Sequence, residues 1–338
     1  MSGTKAQPVS STRSALRRAA AYAIASSAAA GVFLSVAAAS APAAQAGTAS
    51  GTARIQALLD NPVHGTVNLP SGTFTISQPL RLHQGERIIG HHTTLRVAAG
   101  LGDYAAMLAG ASATTDLSGL AITGVTFDQS SAANPIRHPG KLLTGMPRFV
   151  LLVGAGNGIT ITGNKFVGTD NLNTIVTGGG TRNVTISGNS FQTRNAALHD
   201  HSSIYTSGTS TVISNNTLAG RAAYHSAAIE VHGDGVTVTG NRIHGYYRGV
   251  NVVASNSVFR GNHVAGAASP VDLWSVAPTA LHNVTITGNV LNRNLPYWRH
   301  VLARYGAHLP AAKYLRPVTR DETSTLPFRN IVIHGNHG

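Results

Sequence analysis

The chain has 338 residues and no cysteine, so neither disulfide staples nor a cysteine nucleophile is available to it. Acidic residues are also scarce: 12 Asp and Glu stand against 25 Lys and Arg, a formal net charge of +13 at pH 7. Aromatic residues make up only 6% of the sequence, so any place where acids and aromatics gather stands out from the background. No long apolar run follows residue 46, which predicts no permanent membrane span in the remainder of the chain. Gly-x-Ser-x-Gly elbows, Walker loops and Rossmann fingerprints in a strand-helix context are missing too, which excludes the enzyme classes built on them.

What the sequence does have begins with a leader. Arg13, Arg17 and Arg18 precede an Ala-rich apolar stretch that ends in Ala44-Gln45-Ala46, the pattern of a secretory signal peptide over residues 1–46. The Arg17-Arg18 pair leaves open which export route is used. The expected mature domain, 47–338, is a secreted, extracellular monomer. Because four basic residues and no acidic ones lie in the leader, the domain keeps 21 basic against 12 acidic residues, a net charge of +9. That excess favours a polyanionic partner, and in an exported protein an anionic polysaccharide suits it better than any specific nucleic acid.

A hexapeptide ending in Gly-Asn organises the rest. It reads ITITGN at 159–164, VTISGN at 184–189, VTVTGN at 236–241 and VTITGN at 284–289, with looser copies ending at Asn216, Asn262 and Asn336. Successive asparagines are 25, 27, 25, 21, 27 and 47 residues apart, and the last interval reads as about two repeats. A strand followed by Gly-Asn at such spacing predicts a parallel β-helix, whose coils bury their apolar faces only by stacking. The asparagines are expected to form an amide ladder up the stack. The sequons at Asn183, Asn215 and Asn283 belong to the same repeat and do not signal glycosylation. Residues 54–60 have the pattern of a short helix capping the first coil, and Trp298–Tyr305 that of a helix inserted before the last.

The run Gly65-x-Val67-x-Leu69-Pro70-x-Gly72-x-Phe74-x-Ile76, followed by Ile88-Ile89-Gly90, resembles the opening of pectin-lyase-like (pectate lyase superfamily) proteins, and the Gly-Asn repeats resemble their later coils. The resemblance spans nearly all of the mature chain. It implies an all-β, right-handed parallel β-helix and a groove along the strand preceding the turn into the Gly-Asn sheet. It leaves activity open, since these proteins include lyases, hydrolases, epimerases and non-catalytic members.

A second strand lies about a dozen residues before several ladder asparagines. Aligning its copies places Ile175, Ile204, Ile229, Val250 and Val271 in one inward column, and Val176, Tyr205, Glu230, Asn251 and Asp272 in one outward column. Two residues further on, the outward face carries His232 and Trp274. Loops entering these strands add His199, Asp200, His201, Arg221, Tyr224, His225, Tyr246, Tyr247 and Arg248. Glycan sites use such a mixture: aromatic faces stack on sugar rings, Arg and His pair with carboxylates, and carboxylate, His or Tyr moves protons. Glu230, His232, Asp272 and Tyr205 are the catalytic candidates. His199, Asp200, His201, Arg221, His225, Tyr247, Arg248, Asn251 and Trp274 are candidates for substrate binding.

Three functional readings remain open at this level. A polysaccharide lyase or C5-epimerase acting on a uronate-containing polymer needs a base near the C5 proton and a donor or cation, such as Arg248, Asn251 or bound calcium, at the sugar carboxylate. An inverting glycoside hydrolase would use Glu230 and Asp272, two coils and about 9 to 10 Å apart. A non-catalytic surface protein would use the same groove to bind glycan. Calcium would draw on Glu230, Asn251 and Asp272, and a zinc reading of His199-Asp200-His201 with His225 or His232 is the other metal possibility.

Overall fold

The computed structural model describes residues 50–100, 106–134, 149–169, 173–194, 201–220, 226–276, 279–303, 309, 316–321 and 323–338. They wind into a parallel β-solenoid of about eight turns. A typical turn contributes one strand to a nine-stranded sheet and two short strands to a seventeen-stranded one. In one such turn Ser226–Val231 lies in the first sheet, and Thr237–Thr239 and Arg242–His244 lie in the second.

The Gly-Asn signature makes the corner between the two short strands. Gly163, Gly188, Gly240, Gly261, Gly288 and Gly335 have φ between +61° and +66°, a left-handed conformation that costs glycine no Cβ clash. In the looser copy Asn215 takes that place at φ +55°, and asparagine is among the few residues that tolerate it. The following asparagines form the expected ladder. From Asn164 through Asn189, Asn216, Asn241, Asn262 and Asn289 to Asn336, each backbone N–H donates to the next Oδ1 at 2.9 or 3.0 Å. Each side-chain amide also donates to a main-chain carbonyl of the coil before, such as that of Ile213 for Asn241 at 2.9 Å. Every polar group of these buried amides is thereby matched to a partner one rung away.

Apolar columns fill the interior. Phe127, Phe166 and Phe191 stack at centroid distances of 5.1 and 4.7 Å, and Leu218, Ile243, Val264 and Leu291 continue the column in register. Each fully buried side chain of this kind contributes roughly 1.5–3 kcal/mol relative to leaving it in water. Helix α1 (Gly51–Leu59), with Ser50 accepting from the Ala53 N–H, closes the first coil with Ile55 and Leu59. Among the described residues no helix is long and apolar enough to cross a membrane.

The final 47-residue interval corrects the sequence reading. Asn289 bonds Asn336 directly at 2.8 Å, and His282–Thr287 pairs with Arg329–His334. The interval is therefore one coil with a long excursion rather than two coils. The excursion carries helix α2 (Leu295–Ala303) and the strand Val318–Arg320, which adds to the nine-stranded sheet beside Ser269–Leu273.

Candidate active site

The aligned strands pair in the anticipated register. Ile175, Ile204, Ile229, Val250 and Val271 are successive partners, as are Val176, Tyr205, Glu230, Asn251 and Asp272. Their exposure is different from that anticipated. His201–Thr206, Ser226–Val231 and Ser269–Leu273 are buried at every position, so these strands of the nine-stranded sheet are covered on their outer face as well as their inner one. Beside the entry to these strands, Trp298, Val301 and Leu302 of α2 pack with Tyr247 and Ala268, which immediately precede Arg248–Val252 and Ser269–Leu273.

At the centre of the column Glu230 accepts hydrogen bonds from three donors: the Ser202 hydroxyl at 2.6 Å, His232 Nε2 at 2.8 Å and Asn251 Nδ2 at 3.4 Å. Burial pushes the Glu230 carboxyl up, but the His232 bond and charge, the Ser202 hydroxyl and the Arg248 charge outweigh it and hold the pKa below its ordinary value. Glu230 is thus an anion with its oxygens facing donors. A carboxylate only accepts, so the His232 proton on this bond sits on Nε2 and Nδ1 is the ring's other nitrogen. The Tyr205 ring stacks on the imidazole at 4.7 Å. The His232 side chain keeps 9% of its surface exposed against 5% for Glu230, so the imidazole stands on the outer side of the carboxylate.

One rung beyond Asn251 the chemistry changes. Asp272 is fully buried, accepts from Arg248 Nε at 2.9 Å and takes the Thr319 hydroxyl at 2.5 Å. Arg248 also reaches Asp321 at 3.4 Å. The expectation that Asp272 serves as the second catalytic carboxylate fails on this geometry, because its oxygens hold a guanidinium and a hydroxyl away from solvent. Arg248 itself, between two carboxylates, has its charge already balanced and is no free anchor for a substrate carboxylate. The calcium reading fails for the same reason: the guanidinium occupies one end of the Glu230–Asn251–Asp272 column, and Glu230 faces hydrogen-bond donors.

The remaining candidates divide. Trp274 is buried on the strand extension beside the column, its backbone N–H donating to the Val252 carbonyl at 2.8 Å. Tyr247 packs edge-on against Trp298 at 5.3 Å and stands under Arg248, so its role is to dock α2 rather than to meet substrate. His201 is buried and contacts the Ser203 hydroxyl at 3.3 Å. Tyr246 points into the core, bonded to Ser203 and Thr193, where burial raises its pKa to about 12. His199, Asp200, Arg221, Tyr224 and His225 lie outside the described residues, and the zinc reading that depended on them lies there with them. Among the described residues no three His, Asp or Glu side chains are grouped to hold a metal.

Ser202, Thr319 and Asp321 escaped the sequence reading. Strict alternation puts Ser202 and Tyr205, three residues apart, on opposite faces, yet both reach the Glu230–His232 pair. Thr319 and Asp321 follow the long excursion, where the repeat gives no register.

Among solved structures, the chain is similar to a mutant tailspike protein of E. coli bacteriophage HK620 in complex with a pentasaccharide. The identity is 16% and the TM-score 0.64, over 84% of this chain and 52% of that one. A double mutant of the same tailspike aligns at 15% identity and a TM-score of 0.66 over the same shares. The fold is the right-handed parallel β-helix. This β-helix spans about half the length of the tailspike it matches. The A-module of the Azotobacter vinelandii mannuronan C-5 epimerase aligns over 86% of this chain and 94% of that one, at 15% identity and a TM-score of 0.47. No protein-family model and no curated protein sequence matches the chain.

Proposed function

We propose that this β-helix protein is an exported polysaccharide lyase acting on an acidic, uronate-containing polymer, with residues 1–46 as its signal peptide. The observation that carries the reading is the Glu230–His232 pair on the outer column of the nine-stranded sheet. An ionised carboxylate behind an imidazole fixes its tautomer and supports the positive charge it gains on taking a proton. In this scheme His232 removes the C5 proton beside the sugar carboxylate. The freed electron pair forms the C4=C5 double bond and the C4–O bond breaks, with the glycosidic oxygen leaving as an alcohol after taking a proton from water. Ser202 holds Glu230, Tyr205 holds the ring of His232 from the side, and Asn251, which spends one amide N–H on a 3.4 Å bond to Glu230, supplies its other N–H to the sugar carboxylate. The net charge of +9 over residues 47–338, 21 basic against 12 acidic, supports an anionic substrate, and the tailspike of similar fold was solved with an oligosaccharide bound. An epimerase would use the same base and return a proton to the opposite face of that carbon from a second donor.

The alternative of an inverting hydrolase loses its second carboxylate, because Asp272 is committed to Arg248 and Thr319. The test is the product. Incubation with polygalacturonate, alginate and a neutral glucan should give ultraviolet absorbance from new C=C bonds with the polyuronates alone. Reducing ends appearing without unsaturation would establish hydrolysis instead, and binding without either product would establish a glycan-binding protein.

A further inference from the structure

Where the second short strands turn toward the nine-stranded sheet runs an open groove of about 560 Å³, lined among the described residues by Gly220, His244, Gly245, Ala265, Gly266, Asn294 and Tyr297. Its floor lies along the second short strands of three successive coils at Ala219, His244 and Ala265, which are partners in register. Glycine there has a structural reason: a Cβ on Gly245 would meet the Gly220 carbonyl oxygen at 2.5 Å, and Gly266 has φ +73°. The consequence is a strip without side chains, with one wall supplied by α2.

That wall is fastened. The Trp298 indole donates to the Gly266 carbonyl at 2.7 Å and is fully buried, so the helix is pinned to the floor of the groove. Tyr297 stands edge-on to Trp298 at 5.4 Å and keeps 42% of its surface exposed. Packing explains Trp298 but not an exposed aromatic ring beside a side-chain-free strip, and that pairing is what a sugar ring needs: a platform on one side and room on the other. The strands leading into the groove are basic. Arg242 and His263 are register partners and exposed, and exposed His244 lies two residues past Arg242 on the same face.

The geometry points to a second glycan-binding site in this groove, taking an acidic oligosaccharide whose ring stacks on Tyr297 and whose carboxylates meet Arg242, His244 and His263. The site stands independently of the Glu230–His232 chemistry. It is tested by amide NMR titration of a His232→Gln variant, which prevents turnover, with trigalacturonate and with neutral cellotriose as probes. Trigalacturonate should shift the amides of Gly220, Gly245 and Gly266, and added salt should weaken the effect. Tyr297→Ala should weaken binding about tenfold, the scale of one aromatic stacking contact, whereas Tyr297→Phe should retain it. Unshifted groove glycines, or unchanged binding in Tyr297→Ala, would overturn the site, and equal shifts with cellotriose would overturn its acidic specificity. A wild-type protein that fails to degrade polyuronate would count against the lyase reading while leaving shifts in the groove intact.

Discussion

Glu230 sits 4% exposed in a strand covered on both faces, and the residue persists as an anion only because donors converge on it. Its pKa is held below the ordinary glutamate value by these donors, so its interactions contribute stability that is present above the unfolded-chain pKa and lost as pH falls through the folded one. Urea unfolding of the wild type and Glu230→Gln between pH 3 and 7 should show the wild-type advantage at neutral pH shrinking below about pH 4.5. An advantage constant across that range would mean the carboxylate gains nothing from its partners. At the ladder, Asn241→Ala leaves the N–H of Asn216 and the carbonyl of Ile213 without their partner, and should cost about 1–3 kcal/mol. An unchanged melting curve would place Asn241 outside the network. The ladder and the Tyr205–Glu230–Asn251–Asp272 column were legible because both repeat. The donors Ser202 and Thr319 were not, because one breaks strand alternation and the other follows an excursion of irregular length.

Among the elements, helix α2 shows what periodicity reveals and what it hides. A helical pattern was visible around Trp298, although the described helix, Leu295–Ala303, begins three residues earlier. Its packing could not be read, because the contacts with Tyr247, Ala268 and Gly266 join residues 30 or more positions away or from separate coils. Trp298 fills a satellite cluster and makes a hydrogen bond to the solenoid, so Trp298→Ala should cost about 3–5 kcal/mol if the cluster unfolds with the rest. Hydrogen exchange would locate the loss: faster exchange confined to α2 and Tyr247 is expected, and unchanged protection there would show that the helix is held by other contacts. The nine-stranded sheet was misjudged in exposure for a related reason. Register follows from the alternation of each strand with its neighbours, whereas cover on the outer face does not follow from that alternation.

For the whole molecule, the repeat, the absence of cysteine and the scarcity of acids described one solenoid whose stability comes from stacking, and the sheets, cap and ladder agree. Chemistry was less legible. The sequence placed two carboxylates on one face, and only their partners show that they differ: Glu230 supports an imidazole, whereas Asp272 is locked to Arg248. The central claim is that His232, held by Glu230, performs proton transfer on an acidic glycan. It is tested most directly by comparing wild type and His232→Ala on polyuronate for formation of unsaturated product, with melting temperature and polyuronate binding measured on the same samples. The account predicts that His232→Ala loses at least a hundredfold in rate, in the range that general acid–base groups contribute, while binding is retained and the melting temperature falls only modestly, because Glu230 loses one of its three donors. A variant that forms unsaturated product as fast as the wild type would contradict the assignment of the base.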